Sequence, residues 1–299
     1  MCKSAITLKK FLKLLLEYMF YKITITVLLW ILGYGTFSFK SLFFLFIPVK
    51  DVSDGFVGTY LIFFLTIPFL NVLIRHLNER QHIKLLLLSG FTYVFISSIP
   101  WFSVTMNYVS WFIVLYFFAS YIRLYPKALF DKTKIWGWSS IVCVILCIAS
   151  VVVGALIYVK TGENYTYFFV ADSNKILALC SGICFFMFFK NIKLKYNRMI
   201  NTVASSTFGI LLIHAHSDEM RECIWVGAFK NVKNYGSDIL PLHAVGSVIA
   251  VFSICFVIDR LRIIIIEKPF FRFIDKYLDK MENSYHNFED RFMSKISRN

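Results

Sequence analysis

The sequence predicts an all-α fold, a polytopic membrane helix bundle with about eight transmembrane helices. Three observations predict it. Hydrophobic residues make up 58% of 299 residues, with 33 phenylalanines and a mean hydropathy of +0.65, well beyond the apolar share of soluble domains. Apolar runs long enough to cross about 30 Å of hydrocarbon at about 1.5 Å per residue recur along the chain. The 32 Lys and Arg against 18 Asp and Glu sit between those runs. No RNP, zinc-finger or basic-helix pattern accompanies the excess, so it reads as a topology signal and not as a nucleic-acid surface.

The elements follow in order. Met1 to Lys10 is a short basic leader with Lys3, Lys9 and Lys10, and the run Phe11 to Leu32 behind it is too long for a signal peptide and has no small-residue cleavage site after it. Glu17 and Lys22 interrupt this span; Glu17 is expected to reach the interface and Lys22 to turn to a neighbouring helix. Between Gly33 and Asp54, the run Leu42 to Val49 is too brief to span, ends at Pro48, and reads as interfacial or re-entrant. The second span, Phe56 to Ile74, holds Pro68, which removes a donor and should kink the helix near the level of Tyr60 or Phe64. Asn71, three residues on, needs an interhelical hydrogen bond or a ligand contact. Further spans read as Ile83 to Ile99, Tyr108 to Tyr125, Ile135 to Tyr158, Asn174 to Phe189, Val203 to Ala215 and Ile239 to Ile266.

Charge alternates along the turns. The leader, the turn with Arg75, Arg80 and Lys84, the turn with Arg123, Lys127, Lys132 and Lys134, and the turn with Lys190, Lys193, Lys195 and Arg198 alternate with loops poorer in positive charge. By the positive-inside rule the richer set and both termini are cytoplasmic. Residues 1–269 then form the membrane domain, and 270–299 carry apolar positions such as Phe270, Ile274, Tyr277 and Leu278 at helical spacing among charges, a cytoplasmic amphipathic tail. Cys143 with Cys147 and Cys180 with Cys184 are spaced i,i+4 inside apolar runs without any CxxC, so the cysteines read as packing residues and no metal is expected. Phenylalanine doublets such as Phe63 with Phe64 and Phe185 with Phe186 read as lipid-facing bulk.

The chemistry-bearing stretch is ASSTFGILLIHAHS, Ala204 to Ser217, where an apolar run ends in His214 and His216. An ionisable group at that depth is costly. His214 is either a neutral imidazole donating to a neighbouring helix, or a proton-handling group facing a wet cavity, since its reference pKa lies near neutrality. No phosphate loop, GxSxG, HExxH or internal repeat occurs.

The string FKNIKLKYNRMINTVASSTFGILLIHAHS, Phe189 to Ser217, resembles the late helix of the membrane acyltransferase family 3, the O-acetyltransferases of bacterial surface polysaccharides. GFVGTYLIFFLTIPFLN, Gly55 to Asn71, is similar to the family's early helix; WFIVLYFFASYIRLYP, Trp111 to Pro126, to a middle one; and Asp259 to Pro269 to the end of the last. Two departures accompany the resemblance. Asp54 and Gly55 stand where the family has an aromatic pair, and nothing before Phe11 can hold the two leading helices in which the family carries an arginine and a histidine for acyl transfer. The chain is therefore expected to be amino-terminally short, with a separate chain as one possible source of that pair.

The resemblance implies an enzyme of the bacterial inner membrane that transfers acetyl from acetyl-CoA, a substrate and not a bound cofactor, to a hydroxyl of a capsule, O-antigen or similar cell-surface glycan or its lipid-linked precursor. The basic turns would attract the donor's phosphates from the cytoplasmic side. On this sequence His214 is the only membrane-embedded histidine available for proton transfer and is expected to be a site residue rather than the full base; Arg123 is the candidate for the acyl-CoA phosphates or else a positive-inside anchor, and the resemblance makes Tyr60 and Asn71 candidates for the substrate pocket. Two other classes stay open. A polysaccharide or lipid transporter has a similar composition, although Pro68 has no counterpart in the second half. A non-catalytic remnant or subunit of such an enzyme would also lack the leading pair.

Overall fold

The computed structural model describes residues 8–47, 56–102, 104, 107–275 and 277–278. The leader through residue 7, the Pro48 end of the short run, Lys50, Asp54, Gly55 and the tail beyond 278 lie outside the described residues. Among the described residues every regular element is helical. In chain order these are α1 (Leu8–Ile31), α2 (Phe39–Leu45), α3 (Phe56–His76), α4 (Glu79–Gly90), α5 (Tyr108–Leu124), α6 (Thr133–Thr161), α7 (Ile176–Asn191), α8 (Arg198–Ala204), α9 (Thr207–His214), α10 (Asp218–Arg221) and α11 (Leu240–Arg262). Helical winding continues past α4 through Ser98 and past α11 through Glu267.

Local chemistry sets several ends. Asn78 and Gln81 cap α4 reciprocally, each side chain accepting from the other's backbone N–H at 2.9 Å. Asn107 caps α5 through Ser110 N, also at 2.9 Å. Gly162 closes α6 at φ 76°, a left-handed conformation that costs glycine little. Among the described residues three helices are long and apolar enough to cross a membrane: Lys9–Ile31, Gly58–His76 and Thr133–Thr161. The shorter α5 and α7 are apolar as well.

The chain divides into two units, one of Ser53–Lys195 and one of Ile6–Val52 with Tyr196–Asn299. In the first, Phe63, Leu70 and Ile74 form a single stripe of α3 that buries against Phe117 of α5. Trp111 and Val114 of α5 pack on Val94. In the second, α9 packs on both α1 and α11.

The span expected over Val203 to Ala215 is interrupted. The helix stops at Ala204 and restarts at Thr207, and α9, with eight residues, covers about 12 Å. The hydroxyls explain the break: Ser205 Oγ donates to Thr202 O at 2.7 Å and Thr207 Oγ1 to Ala204 O at 2.9 Å, competing with the helical ladder. Glu17 does not reach the interface either. It is 8% exposed and ion-paired inside the second unit, because Arg262 offers it a guanidinium there. Lys22 turns to its neighbour, donating to Phe44 O and Ile47 O at 3.2 Å each.

Candidate functional site

In the second unit, α9 is held by a contact that only glycine permits. A Cβ at Gly209 would overlap the carboxylate of Asp259 on α11, so the two helices meet backbone to side chain. Asp259 is fully buried. Its Oδ1 accepts from Tyr21 Oη of α1 at 2.8 Å and from Arg262 Nε at 3.0 Å. Arg262 uses its remaining nitrogens on Glu17 Oε1 and Glu267 Oε2, both at 2.8 Å, and Lys13 pairs with Glu267 at 2.8 Å. Three carboxylates therefore share two cations, and Asp259 Oδ2 is left without a hydrogen bond, as is the buried Ser206 Oγ just before α9.

His214 is the last residue of α9 and is half-buried. Its Nδ1 lies 2.7 Å from Ile210 O. A carbonyl oxygen only accepts, so Nδ1 carries a proton, and in the neutral form of the ring the lone pair is at Nε2. Among the described residues Nε2 has no hydrogen-bond partner. Such a ring can accept a proton from a hydroxyl placed against it. His216 faces elsewhere, with Nε2 3.2 Å from Thr26 Oγ1 of α1. Beyond it Ser217 Oγ accepts from Met220 N at 3.2 Å, capping α10.

The other three candidates sit in the first unit, so the sequence-derived set does not fall within one unit. Tyr60 packs its ring on Phe63 and Phe112, at centroid separations of 5.9 and 5.7 Å. Asn71 Oδ1 accepts from Tyr116 Oη of α5 at 2.7 Å, the interhelical bond that an amide in lipid needs. Arg123 is exposed in the last turn of α5 and has no ion pair among the described residues. Beside it in sequence, Lys127 pairs with Glu79, which also accepts from Tyr121 Oη at 3.2 Å. The hydrogen bond from Lys127 holds the Glu79 carboxyl below its ordinary range, against the upward push of desolvation.

Two features escaped the sequence reading. His214 is not the sole histidine within the helical bundle: His82 on α4 is fully buried, its Nε2 donating to Phe117 O at 3.1 Å, and His243 lies on α11. His82 precedes the first long apolar stretch of its helix and so reads as part of a turn. The Glu17, Asp259 and Arg262 network was also missed. Its signal is present, an acid inside one apolar run and an acid with a base three residues on inside another, but charge complementarity between runs nearly 250 positions apart has no local pattern.

The comparisons bear on what this arrangement is for. No curated protein and no solved structure matches the chain. The profile of the Acyltransferase domain, acyltransferase family 3, matches residues 4–260, which takes in α9, His214 and the Asp259 that docks against Gly209. With most of its length matched, the chain belongs to acyltransferase family 3.

Proposed function

We propose that the protein is a membrane O-acyltransferase moving an acetyl group from acetyl-CoA to a hydroxyl of a cell-surface glycan or its lipid-linked precursor. The observation that carries this, beside family membership, is His214: its Nδ1 is committed to Ile210 O, which leaves the basic Nε2 open. In the proposed step Nε2 takes the proton as the sugar oxygen attacks the thioester carbonyl. The carbon–sulfur bond then breaks, and the proton passes from the imidazolium to the departing thiolate. No bound cofactor is called for, since acetyl-CoA is consumed as a substrate. Arg123, exposed in the last turn of α5 and without an ion pair among the described residues, is proposed to meet the donor's phosphates. Tyr60 is proposed as a wall of the acceptor pocket; Asn71, bonded to Tyr116, would act there through that bond.

We place the protein in the bacterial inner membrane with both termini cytoplasmic. In that arrangement eight passes require α8 with α9, and the shorter α5 and α7, to contribute to crossings. Charge alternation between the turns supports it.

The test is O-acetyl content of surface glycan in cells, where any partner is present. With the chromosomal copy replaced by His214→Gln, which keeps a donor and an acceptor but cannot titrate near neutrality, acetylation rate should fall on the order of 10²-fold at unchanged protein level. His216→Gln should retain it. Parental acetylation by His214→Gln would remove this histidine from the chemistry.

A further inference from the structure

At one edge of the charge network in the second unit lie two cavities that share Lys13, Glu267 and Phe271 as walls. The inner one, about 290 Å³, runs along α1 against the turn after α11, and its walls are mostly apolar, among them Phe20, Ile23, Ile266 and Phe270. The stretch of α1 from Lys13 to Ile23 rises about 15 Å. The outer one, about 240 Å³, is charged, lined by Lys9, Lys13, Lys268 and Arg272 together with Glu267 and Asp275. Both acids are committed. Lys9 pairs with Asp275 at 2.7 Å and Lys13 with Glu267 at 2.8 Å, and Glu267 also accepts from Arg262. Lys268 and Arg272 are left over: both are exposed, and neither makes an ion pair among the described residues. Residues 268–275 are helical, so these two bases stand one turn apart on one face, where like charges repel. Lys13 marks the junction between a hydrocarbon surface and a surplus of positive charge.

We infer that these joined cavities bind one anionic phospholipid, an acyl chain in the groove along α1 and the phosphate at the mouth against Lys268 and Arg272. Both halves of this ligand are called for by residues that line the site. The apolar walls give a free phosphate nothing to bind in the inner cavity. The two uncompensated bases set the mouth apart from an ordinary lipid contact, where a zwitterionic headgroup serves equally well. An anion between Lys268 and Arg272 turns their repulsion into charge-assisted hydrogen bonds. Basic pockets between helices at the cytoplasmic side suit anionic headgroups, and charge alternation puts the start of α1 on that side. Lys13 and Glu267 belong both to this site and to the network around Arg262, so a bound lipid ties α1 to the segment after α11. The site is independent of the acyl-transfer reaction.

The test uses the full chain purified in a neutral sugar detergent and unfolded by heat with increasing dioleoylphosphatidylglycerol in the micelles. Dioleoylphosphatidylcholine, with the same chains and no net charge, is the comparison lipid. A ligand that binds only the folded protein raises the midpoint in a saturable way. Phosphatidylglycerol should do so and phosphatidylcholine should not. Lys268→Gln with Arg272→Gln should raise the mole fraction of lipid needed for half the shift by about tenfold or more, the scale of one lost charge-assisted hydrogen bond. Both side chains are exposed, so the midpoint without lipid should stay where it is. Lys193→Gln with Lys195→Gln removes the same charge from another exposed turn and should leave half-saturation as in the parent. The parent supplies a second measurement that needs no variant: its shift should weaken as salt rises from about 0.15 M to about 1 M, where the screening length falls from about 8 to about 3 Å. Equal shifts with both lipids, an equal loss in the two double variants, or a shift indifferent to salt overturns the inference. So does a shift of the same size from inorganic phosphate or coenzyme A alone, which would make the mouth a site for soluble phosphates.

Discussion

The two units solve the problem of polar groups among apolar helices in opposite ways. The first ties its helices mostly with neutral bonds, Tyr116 to Asn71 across α3 and α5, His82 to the Phe117 carbonyl, Asn174 Nδ2 to Tyr93 O at 3.0 Å and Ser97 Oγ to Asn174 O at 3.1 Å, beside a buried Lys175 on Ser97 O and a Lys127–Glu79 pair. The second joins α1, α11 and the turn after α11 through full charges, Glu17, Asp259, Glu267 and Arg262. Neutral glue is cheap to lose one bond at a time. A charge network is different, since each member is tolerable only while the others stay. Stability in the second unit should therefore respond steeply to single substitutions, in the unit that also carries His214.

The largest effect should come from Arg262→Met. It strands Glu17 and Asp259 without their cation, and breaking a buried pair from one side costs about 3–5 kcal/mol. Little folded protein should be recovered from detergent extracts. The companion Arg262→Met with Glu17→Gln and Asp259→Asn removes the stranded charges and should recover part of the yield. If the single variant is as well folded as the parent, the contrast between the units has no energetic content.

Gly209→Ala comes next. The added methyl must displace α9 or the Asp259 carboxylate, and overpacking of this kind costs about 1–3 kcal/mol. Because His214 ends the same short helix, glycan acetylation should fall further than folded yield does. Equal falls in both would separate the Asp259 contact from the position of His214.

The residues divide in the same way over what could be read from sequence. The helices were legible because long apolar runs have few alternatives, although only three among the described residues are long and apolar enough to cross a membrane, and Asn71 was legible as interhelical glue because its chemistry demands a partner whatever the fold. Local hydroxyl chemistry hid the break before α9, since the apolar run over Phe208 to Ile213 continues the pattern while Ser205 and Thr207 bond to carbonyls within their own turn. Glu17 was assigned to the interface because a lone acid in an apolar run has nowhere else to go until Arg262 is brought beside it in space. His214 was legible as a candidate, but its tautomer rests on Ile210 O one turn back, a contact set by rotamer and not by sequence.

Tyr116→Phe samples the neutral side of the comparison. It removes one donor to Asn71 and leaves the aromatic packing, so the loss should be about 0.6 kcal/mol, the average for an interhelical hydrogen bond in a membrane protein. The unfolding midpoint of the purified chain reads it. A loss as large as that of Arg262→Met would mean that the first unit is equally brittle.

The smallest effect belongs to Glu79, at the solvent-facing end of the first unit, and it differs in kind because it depends on pH. Its carboxyl is held below the ordinary 4.5 by the hydrogen bond from Lys127, with desolvation opposing and Tyr121 assisting. A carboxylate whose folded pKa is depressed stabilises the fold at pH values above its unfolded pKa. That contribution is lost as pH falls through the folded value. Screening by solvent keeps it small, since both side chains are partly exposed. Glu79→Gln should therefore unfold at a slightly lower temperature than the parent at neutral pH, and the gap should close as the pH is lowered through 4.5 and beyond. Taking the difference between the two proteins at each pH cancels every other titrating group. A gap that widens on acidification would reverse the sign of the Lys127 interaction, and a gap absent at neutral pH would make the pair an interfacial contact without effect on the fold.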